Sequence, residues 1–104
     1  MNLKGSLPTL ILEALTRGPS HGYEIANMIK RRSQGVLDFK EGTLYPALHT
    51  LERDGMVSST TELENGRTRR YYRLTDKGSK HLEKSKSEWQ KMSRAIDGIL
   101  GGTA

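Results

Sequence analysis

Two neighbouring segments constrain the fold of this chain more than any others. Residues 41–55 predict a helix, because apolar side chains recur there at helical spacing: Leu44, Ala47, Leu48 and Leu51. Residues 65–75 open with Asn65-Gly66, the strongest short signal for a β-hairpin, since a type I′ turn needs two positive φ angles. The strand after this turn holds no acid and four arginines: Arg67, Arg69, Arg70 and Arg73. We therefore expect an amphipathic helix beside a basic two-stranded ribbon.

The hairpin turn also fixes which residues of the two strands face each other. A two-residue loop pairs Val57 with Leu74, Ser59 with Tyr72, Glu62 with Arg69 and Glu64 with Arg67. Opposite charges directly across a sheet attract by a few tenths of a kcal/mol, roughly 0.2–1 kcal/mol. We therefore expect Arg67 and Arg69 to be partly neutralised within the chain, and Arg70 and Arg73 to have no acid opposite.

The remaining apolar periodicity completes the order of elements. Residues 7–15 predict a first helix that Gly18-Pro19 ends, and Ser20 is expected to cap a second helix reaching about residue 32. Residues 36–40 leave room for a short strand before a third helix begins near Gly42. Pro46 suits that helix only in its first turn, where its missing N–H costs nothing.

A long helix is expected at the end of the chain. Thr75-Asp76 caps it, and it runs to Leu100 with an apolar stripe of Leu82, Trp89, Met92, Ile96, Ile99 and Leu100. A complete small domain leaves this stripe little to pack on, so a second copy is its expected partner. The fold class is mostly α with a small β-hairpin. Residues 1–75 form a winged helix-turn-helix, a DNA-reading layout, and residues 76–104 a C-terminal dimerisation helix.

The composition excludes several classes of protein. The 104 residues carry 17 Lys/Arg against 12 Asp/Glu, a formal net charge of +5 that suits a polyanionic partner. The chain has no cysteine, which excludes disulfides, thiol catalysis and cysteine-ligated metals. No apolar run approaches the roughly 20 residues of a membrane span, and no signal peptide is visible. A soluble cytoplasmic protein is expected.

Metal binding, cofactors and catalysis are not expected. The three histidines lie too far apart in sequence to form the close ligand pairs of a zinc site, and no Gly-rich phosphate loop occurs. No nucleophile, base and orienting group occur together, so an enzyme is not expected.

Five short segments resemble the PadR family of transcriptional regulators. They are His21-Gly-Tyr-Glu-Ile25, Gly42-Thr-Leu-Tyr-Pro-Ala-Leu48 with Leu51-Glu52, Gly66-Arg67, and Tyr71-Tyr-Arg-Leu-Thr75 followed by Gly78. The single C-terminal helix is similar to the short subfamily. The resemblance implies a homodimeric repressor that binds a pseudo-palindromic operator in double-stranded DNA. In such proteins the third helix enters the major groove, and the hairpin, or wing, touches the DNA backbone or the minor groove.

Carried onto this sequence, the resemblance and the residue types give two sets of candidates. The DNA-binding candidates are Tyr23, Lys40, Thr43, Tyr45, Pro46, His49, Thr50, Arg67, Arg69 and Arg70. The dimer candidates are Leu82, Trp89, Met92, Ile96 and Leu100. Tyr23 and Tyr45 also suit a core position. Trp89, the only tryptophan, is expected mainly to fill the dimer seam, and its alternative role is to bind a small hydrophobic or aromatic effector that releases the operator.

Two other functions remain open at the level of sequence. A winged helix can act as a protein-interaction module, in which the third helix or the wing contacts another protein. A nonspecific nucleoid protein is the second alternative, and it would bind DNA with no preferred sequence. The salt dependence of binding to random and cognate duplexes separates these alternatives from a sequence-specific regulator.

Overall fold

A computed structural model describes the backbone of residues 3–101 and the side chains of residues 6–101. The elements in chain order are α1 (Leu3–Ala14), β1 (Ser20–His21), α2 (Gly22–Arg32), α3 (Glu41–Arg53), β2 (Val57–Glu64), β3 (Arg67–Leu74) and α4 (Asp76–Leu100). A 3-10 turn, Leu15–Arg17, links α1 to β1. The predicted class, a mostly helical winged helix with a long C-terminal helix, is confirmed. The ends of the two expected domains, residues 1–2 and 102–104, lie outside the described residues.

One apolar core joins the helices to the base of the sheet. Leucines and isoleucines at helical spacing on α1, α2 and α3 point to a common centre, as burial of one stripe on each helix requires. The core residues are Leu7, Ile11, Leu12, Ala14, Leu15, Ile25, Ile29, Leu44, Leu48, Leu51, Val57, Tyr72 and Leu82. Among the described residues, no helix is both long enough and apolar enough to cross a membrane.

The hairpin register agrees with the sequence at every predicted pair. Asn65 and Gly66 have φ angles of 49° and 78°, as a type I′ turn requires, and β2 pairs antiparallel with β3 from Val57↔Leu74 to Glu64↔Arg67. The third strand, β1, pairs with the other edge of β3 through Ser20↔Tyr72 and His21↔Tyr71. The sheet therefore places the start of α2 beside the wing.

Three local predictions were wrong. Ser20 does not cap α2, because it pairs in β1 and is buried, and His21 takes the cap position instead. Residues 36–40 form no strand, since β1 already occupies the free edge of β3. α3 begins at Glu41, so Pro46 lies in its second turn and leaves the Gly42 carbonyl without its usual helical partner. Gly42 and Pro46 are both exposed, and water can therefore satisfy that carbonyl.

A compact joint connects the hairpin to α4. Thr75 caps α4, because its side-chain oxygen accepts a hydrogen bond of 3.0 Å from the Gly78 N–H. The same hydroxyl lies 2.6 Å from the Gly55 carbonyl oxygen and 3.0 Å from that of Met56. A Cβ atom on Gly78 would lie only 2.0 Å from the Met56 carbonyl oxygen, so this close approach requires glycine. The Leu-Thr-Asp-Lys-Gly sequence thus forms the joint.

The first half of α4 packs on its own domain. Leu82 is 1% exposed and belongs to the core, and the Lys86 ammonium lies 3.0 Å from the Glu13 carboxylate on α1. Leu82 is therefore not available to a partner, contrary to the prediction that it lies at a dimer interface. Beyond Lys86 the apolar stripe is exposed at Trp89, Met92, Ile99 and Leu100.

Candidate nucleic-acid interface

The outer face of α3 presents short polar side chains over a fixed apolar base. Leu44, Leu48 and Leu51 anchor the inner face in the core. The outer face exposes Pro46, His49 and Thr50, with Thr43 half-buried beside them. The hydroxyls of Thr43 and Thr50 and the ring of His49 can hydrogen-bond the edges of bases, whereas Pro46 can make only apolar contacts. A helix anchored along one side can enter a groove without deforming.

The start of α3 meets α2 at a shallow groove with two lysines on its rim. Its apolar floor includes Phe39, Leu44 and Tyr45, and its rim carries Tyr23, Lys30 and Lys40. Lys40 precedes α3 without capping it through its side chain, so the first N–H groups of the helix have no side-chain acceptor there.

Both lysines contact one carboxylate at the edge of this groove. The Asp38 carboxylate lies 3.3 Å from the Lys40 ammonium and 3.6 Å from that of Lys30. The hydrogen bond from Lys40 lowers the pKa of Asp38 below its ordinary value. The positive charge at the start of α3 is therefore partly compensated within the chain.

The two tyrosines that the sequence could not assign differ in their surroundings. Tyr23 is 66% exposed on the first turn of α2, where it can reach a partner. Tyr45 is half-buried against the core, and its ring lies over the Gly22 Cα, where an added Cβ would come within 2.7 Å of the tyrosine hydroxyl. Tyr45 therefore packs α3 onto α2, and Gly22 provides the space.

Arg69 is held on one face of the wing by a cluster that sequence reasoning missed. The His21 Nδ1 atom accepts a hydrogen bond from the Glu24 N–H and caps α2, while its Nε2 atom lies 2.8 Å from the Arg69 guanidinium. Arg69 also lies 3.6 Å from the Glu64 carboxylate, diagonally across the strands, rather than pairing with Glu62. Tyr71 donates a hydrogen bond to Glu64, which raises the pKa of Tyr71.

Arg70 lies on the opposite face of the wing. Thr61 and no acid faces it across the strands, as predicted, but Glu52 on α3 is an acidic partner that the hairpin register could not indicate. The Arg70 guanidinium donates to the Ser59 hydroxyl at 3.1 Å and lies 3.9 Å from the Glu52 carboxylate. Arg67, near the wing tip, has no ion pair among the side chains of residues 6–101, although it faces Glu64. Arg69 is therefore partly neutralised as predicted, whereas Arg67 is less compensated than Arg70, the reverse of the prediction.

The position of Glu52 contained a signal that the sequence analysis did not use. Glu52 lies in the last turn of α3, where the helix dipole disfavours a negative charge. A carboxylate in such a place indicates a nearby cation, here Arg70. Within the described residues no group of three or more His, Asp or Glu side chains is arranged to hold a metal ion.

Comparisons with known proteins agree with this architecture. The family described as "Transcriptional regulator PadR-like family" matches residues 11–84. The solved structure of a transcriptional regulator from Clostridium thermocellum has a TM-score of 0.87 at 34% identity, covering 94% of this chain and 96% of that one. Transcriptional regulator Rv3488 of Mycobacterium tuberculosis is 34% identical over 84 residues, which is 81% of this chain and 76% of that protein. Transcriptional regulator YqjI of Escherichia coli is 30% identical over 100 residues, and this chain spans 47% of its length.

The family match and the fold lead to the same assignment. The family match runs from the last turn of α1 through α2, α3 and the wing to the first turns of α4. Proteins of this family are DNA-binding transcriptional regulators and not enzymes, as the sequence predicted. The chain belongs to the PadR-like family of transcriptional regulators.

Proposed function

We propose that this chain is a sequence-specific homodimeric repressor that binds a pseudo-palindromic operator. The observation that carries the proposal is the second half of α4. It extends about 20 Å beyond Lys86, at 1.5 Å per residue, with most of its apolar stripe exposed and Ile96 half-buried. Trp89, Met92, Ile99 and Leu100 are 42%, 56%, 83% and 77% exposed.

A second copy of the chain is the occupant that best fits this stripe. A helical segment of this length is marginal in water by itself and gains most of its stability by packing an apolar face. Two copies related by a two-fold axis present the same stripe to each other, so that Met92 and Ile96 of each copy are covered together with Trp89 and Leu100. Such a dimer carries two copies of α3, and its two-fold symmetry favours an operator with two inverted half-sites.

The roles of the DNA-binding candidates follow from their exposure and charge. We assign base contacts in the major groove to Thr43, Pro46, His49 and Thr50 on the outer face of α3. Phosphate contacts are assigned to the exposed or charged side chains around it: Tyr23, Lys40, Arg67, Arg69 and Arg70. Tyr45 contributes by packing α3 on α2 and reaches DNA at most with its hydroxyl.

Release of the operator is assigned to the same dimer seam. An effector must favour one separation of the two reading helices over another, and the seam is the element that sets this separation. Trp89 is the large aromatic side chain there, so a flat hydrophobic effector is proposed to stack on it. Trp89→Leu keeps an apolar side chain in the seam and should abolish the response to such a compound.

Titration of flat hydrophobic compounds with the operator present tests the effector. Quenching of Trp89 fluorescence and loss of operator affinity should follow the same concentration curve. If operator affinity stays unchanged while the fluorescence is quenched, the role of Trp89 is limited to packing.

Dimerisation is tested with two variants of α4, one with a negative charge on the apolar stripe and one with the same charge on the opposite side of the helix. Met92→Glu should raise the dissociation constant of the dimer steeply, because an unpaired buried charge costs about 3–5 kcal/mol. Ser87→Glu adds the same charge to the opposite side of α4, where it is exposed, and should leave the dimer intact. Sedimentation equilibrium measures both variants. A wild-type monomer, or equal weakening by both substitutions, would exclude the stripe as the interface.

Sequence selection from a random duplex pool tests the mode of DNA binding. Recovery of an inverted repeat supports the proposal. Binding with no preferred sequence indicates a nucleoid protein. The absence of salt-dependent binding to any duplex indicates a protein-interaction module. On the selected duplex, His49→Ala should relax preference at particular base pairs by about 1–3 kcal/mol. Arg67→Ala should weaken binding to cognate and random duplexes alike. It should also lower the slope of log affinity against log salt concentration by about 0.9.

A further inference from the structure

Glu52, Ser59 and Arg70 form a connection between α3 and both strands of the wing. The Ser59 hydroxyl on β2 donates to Glu52 Oε2 at 2.5 Å and accepts from the Arg70 Nη1 group on β3 at 3.1 Å. Arg70 Nη1 also lies 3.9 Å from Glu52 Oε1. Because Ser59 both donates and accepts, the carboxylate and the guanidinium are joined through one hydroxyl as well as by direct attraction.

The hairpin register puts Ser59 and Arg70 on the face of the wing that packs against α3, where Glu52 lies. Ser59 faces Tyr72 and Thr61 faces Arg70, so Ser59, Tyr72 and Arg70 project from the same side of the sheet. Tyr72 is buried in the core beside α3, which brings this side of the wing against the helix. Glu52 is half-buried at the point where α3 and the wing meet.

A carboxylate in this place has a function that neither DNA contact nor core packing explains. It repels phosphates, and the dipole of α3 disfavours it in the last turn of the helix. Its interaction with Arg70 uses the Nη1 group of a guanidinium that has five N–H donors, and within the described residues the Nε and Nη2 groups have no partner. The side chain of Arg70 remains half-exposed, so it can bind a second anion while Glu52 holds it.

We infer that Glu52 is a positioning residue, which acts with Ser59 to hold Arg70 ready for a DNA phosphate and to fix the wing to α3. The inference rests on the proposed DNA-binding function. A long flexible side chain normally loses rotamer freedom when it binds, and a side chain that is already held loses less. The wing and the reading helix would therefore bind a duplex as one rigid surface.

A double-mutant cycle on the selected duplex tests this role. Glu52→Gln should weaken binding about 2- to 10-fold, the range expected for ordering one long side chain. The same substitution in an Arg70→Ala background should have little further effect, because the side chain that Glu52 positions is gone. Ser59→Ala should reproduce part of the loss without changing any charge, and circular dichroism checks that each variant is folded.

Glu62→Gln is the matched control, since it removes one negative charge from an exposed site on the wing. Within the described residues Glu62 has no ion pair, so its removal should leave affinity unchanged or slightly raised whether or not Arg70 is present. If Glu52→Gln also raises affinity, the carboxylate merely competes with DNA for Arg70 and the inference is wrong. Equal losses with and without Arg70 would reduce Glu52 to a structural residue and overturn it as well.

The failure of this inference is distinguishable from failure of the proposed function. If the wild-type protein selects no sequence and binds no duplex, the proposed DNA-binding function is refuted. If the wild-type protein binds its operator and the effects of Glu52→Gln and Arg70→Ala are additive, the proposed function stands and only the positioning role of Glu52 is refuted.

Discussion

Gly78→Ala is expected to destabilise the protein through the joint between the hairpin and α4. The added Cβ would lie 2.0 Å from the Met56 carbonyl oxygen, 2.9 Å from its carbonyl carbon and 3.0 Å from Leu74 Cδ1. Two of these atoms belong to the backbone, so no side-chain rotation relieves the contact. α4 must move away from the hairpin, and this movement strains the Thr75 cap.

The magnitude follows from three contributions to the free energy of unfolding. Overpacking a close contact costs about 1–3 kcal/mol. Weakening a side-chain cap costs about 0.5–2 kcal/mol. Alanine in place of glycine returns at most about 0.5–1 kcal/mol in a helix. The net loss is about 0.5–4.5 kcal/mol, and each kcal/mol lowers the melting temperature of a domain of this size by about 4–8 °C.

Denaturant unfolding at one fixed protein concentration measures this loss. Gly98→Ala is the matched control in the same helix, because nothing lies within 4 Å of a Cβ at Gly98. It should leave stability unchanged or raise it by up to about 1 kcal/mol. If Gly78→Ala is as stable as the wild type, the close approach of α4 to Met56 does not exist in solution and the account of the joint is refuted.

Two further changes test other parts of the structure. Leu82→Ala should lower the free energy of unfolding by about 2–5 kcal/mol, because Leu82 is 1% exposed in the core; a loss confined to dimer affinity would place it in the seam instead. The pKa values of Tyr71 and Tyr72 are both raised above 10.0, by the hydrogen bond to Glu64 and by burial respectively. Their contribution to stability is therefore present below pH 10 and is lost as the pH rises through the native pKa values. In an ultraviolet pH titration, Tyr71→Phe and Tyr72→Phe should each lack one of the tyrosines that ionise above pH 10. Ionisation of either tyrosine below pH 10 in the wild type would contradict its hydrogen bond or its burial.

The sequence predicted the elements that local rules determine. The two positive φ angles of a type I′ turn require residues such as Asn65 and Gly66, so the turn and the whole register of the hairpin were predictable. The end of α3 shortly before Gly55 follows from the φ of 78° at that residue, which a glycine adopts without strain. Thr75 caps α4 as expected, because a threonine before a helix can accept a hydrogen bond from its first turn.

The errors occurred where a residue far along the chain decides the outcome. Ser20 has the chemistry of a helix cap, but pairing with Tyr72 draws it into the sheet. Leu82 has the spacing of the α4 stripe, but the core covers this part of the helix. The partner of Arg70 lies on another element, and no comparison of opposite strands could find Glu52. Helical periodicity predicts which face is apolar and does not predict what covers it.

The contact between Gly22 and Tyr45 couples the side-chain volumes that these two positions, far apart in sequence, can accept. Glycine leaves a space on α2 that the tyrosine ring of α3 fills, so the pair acts as a spacer between the two helices. A relative with a larger residue at the position of Gly22 should carry a smaller one at the position of Tyr45. An engineered exchange of volume between these two positions would tilt α3 within the domain while every exposed residue on its outer face stayed the same. Operator preference would then change through the angle of the helix and not through its chemistry.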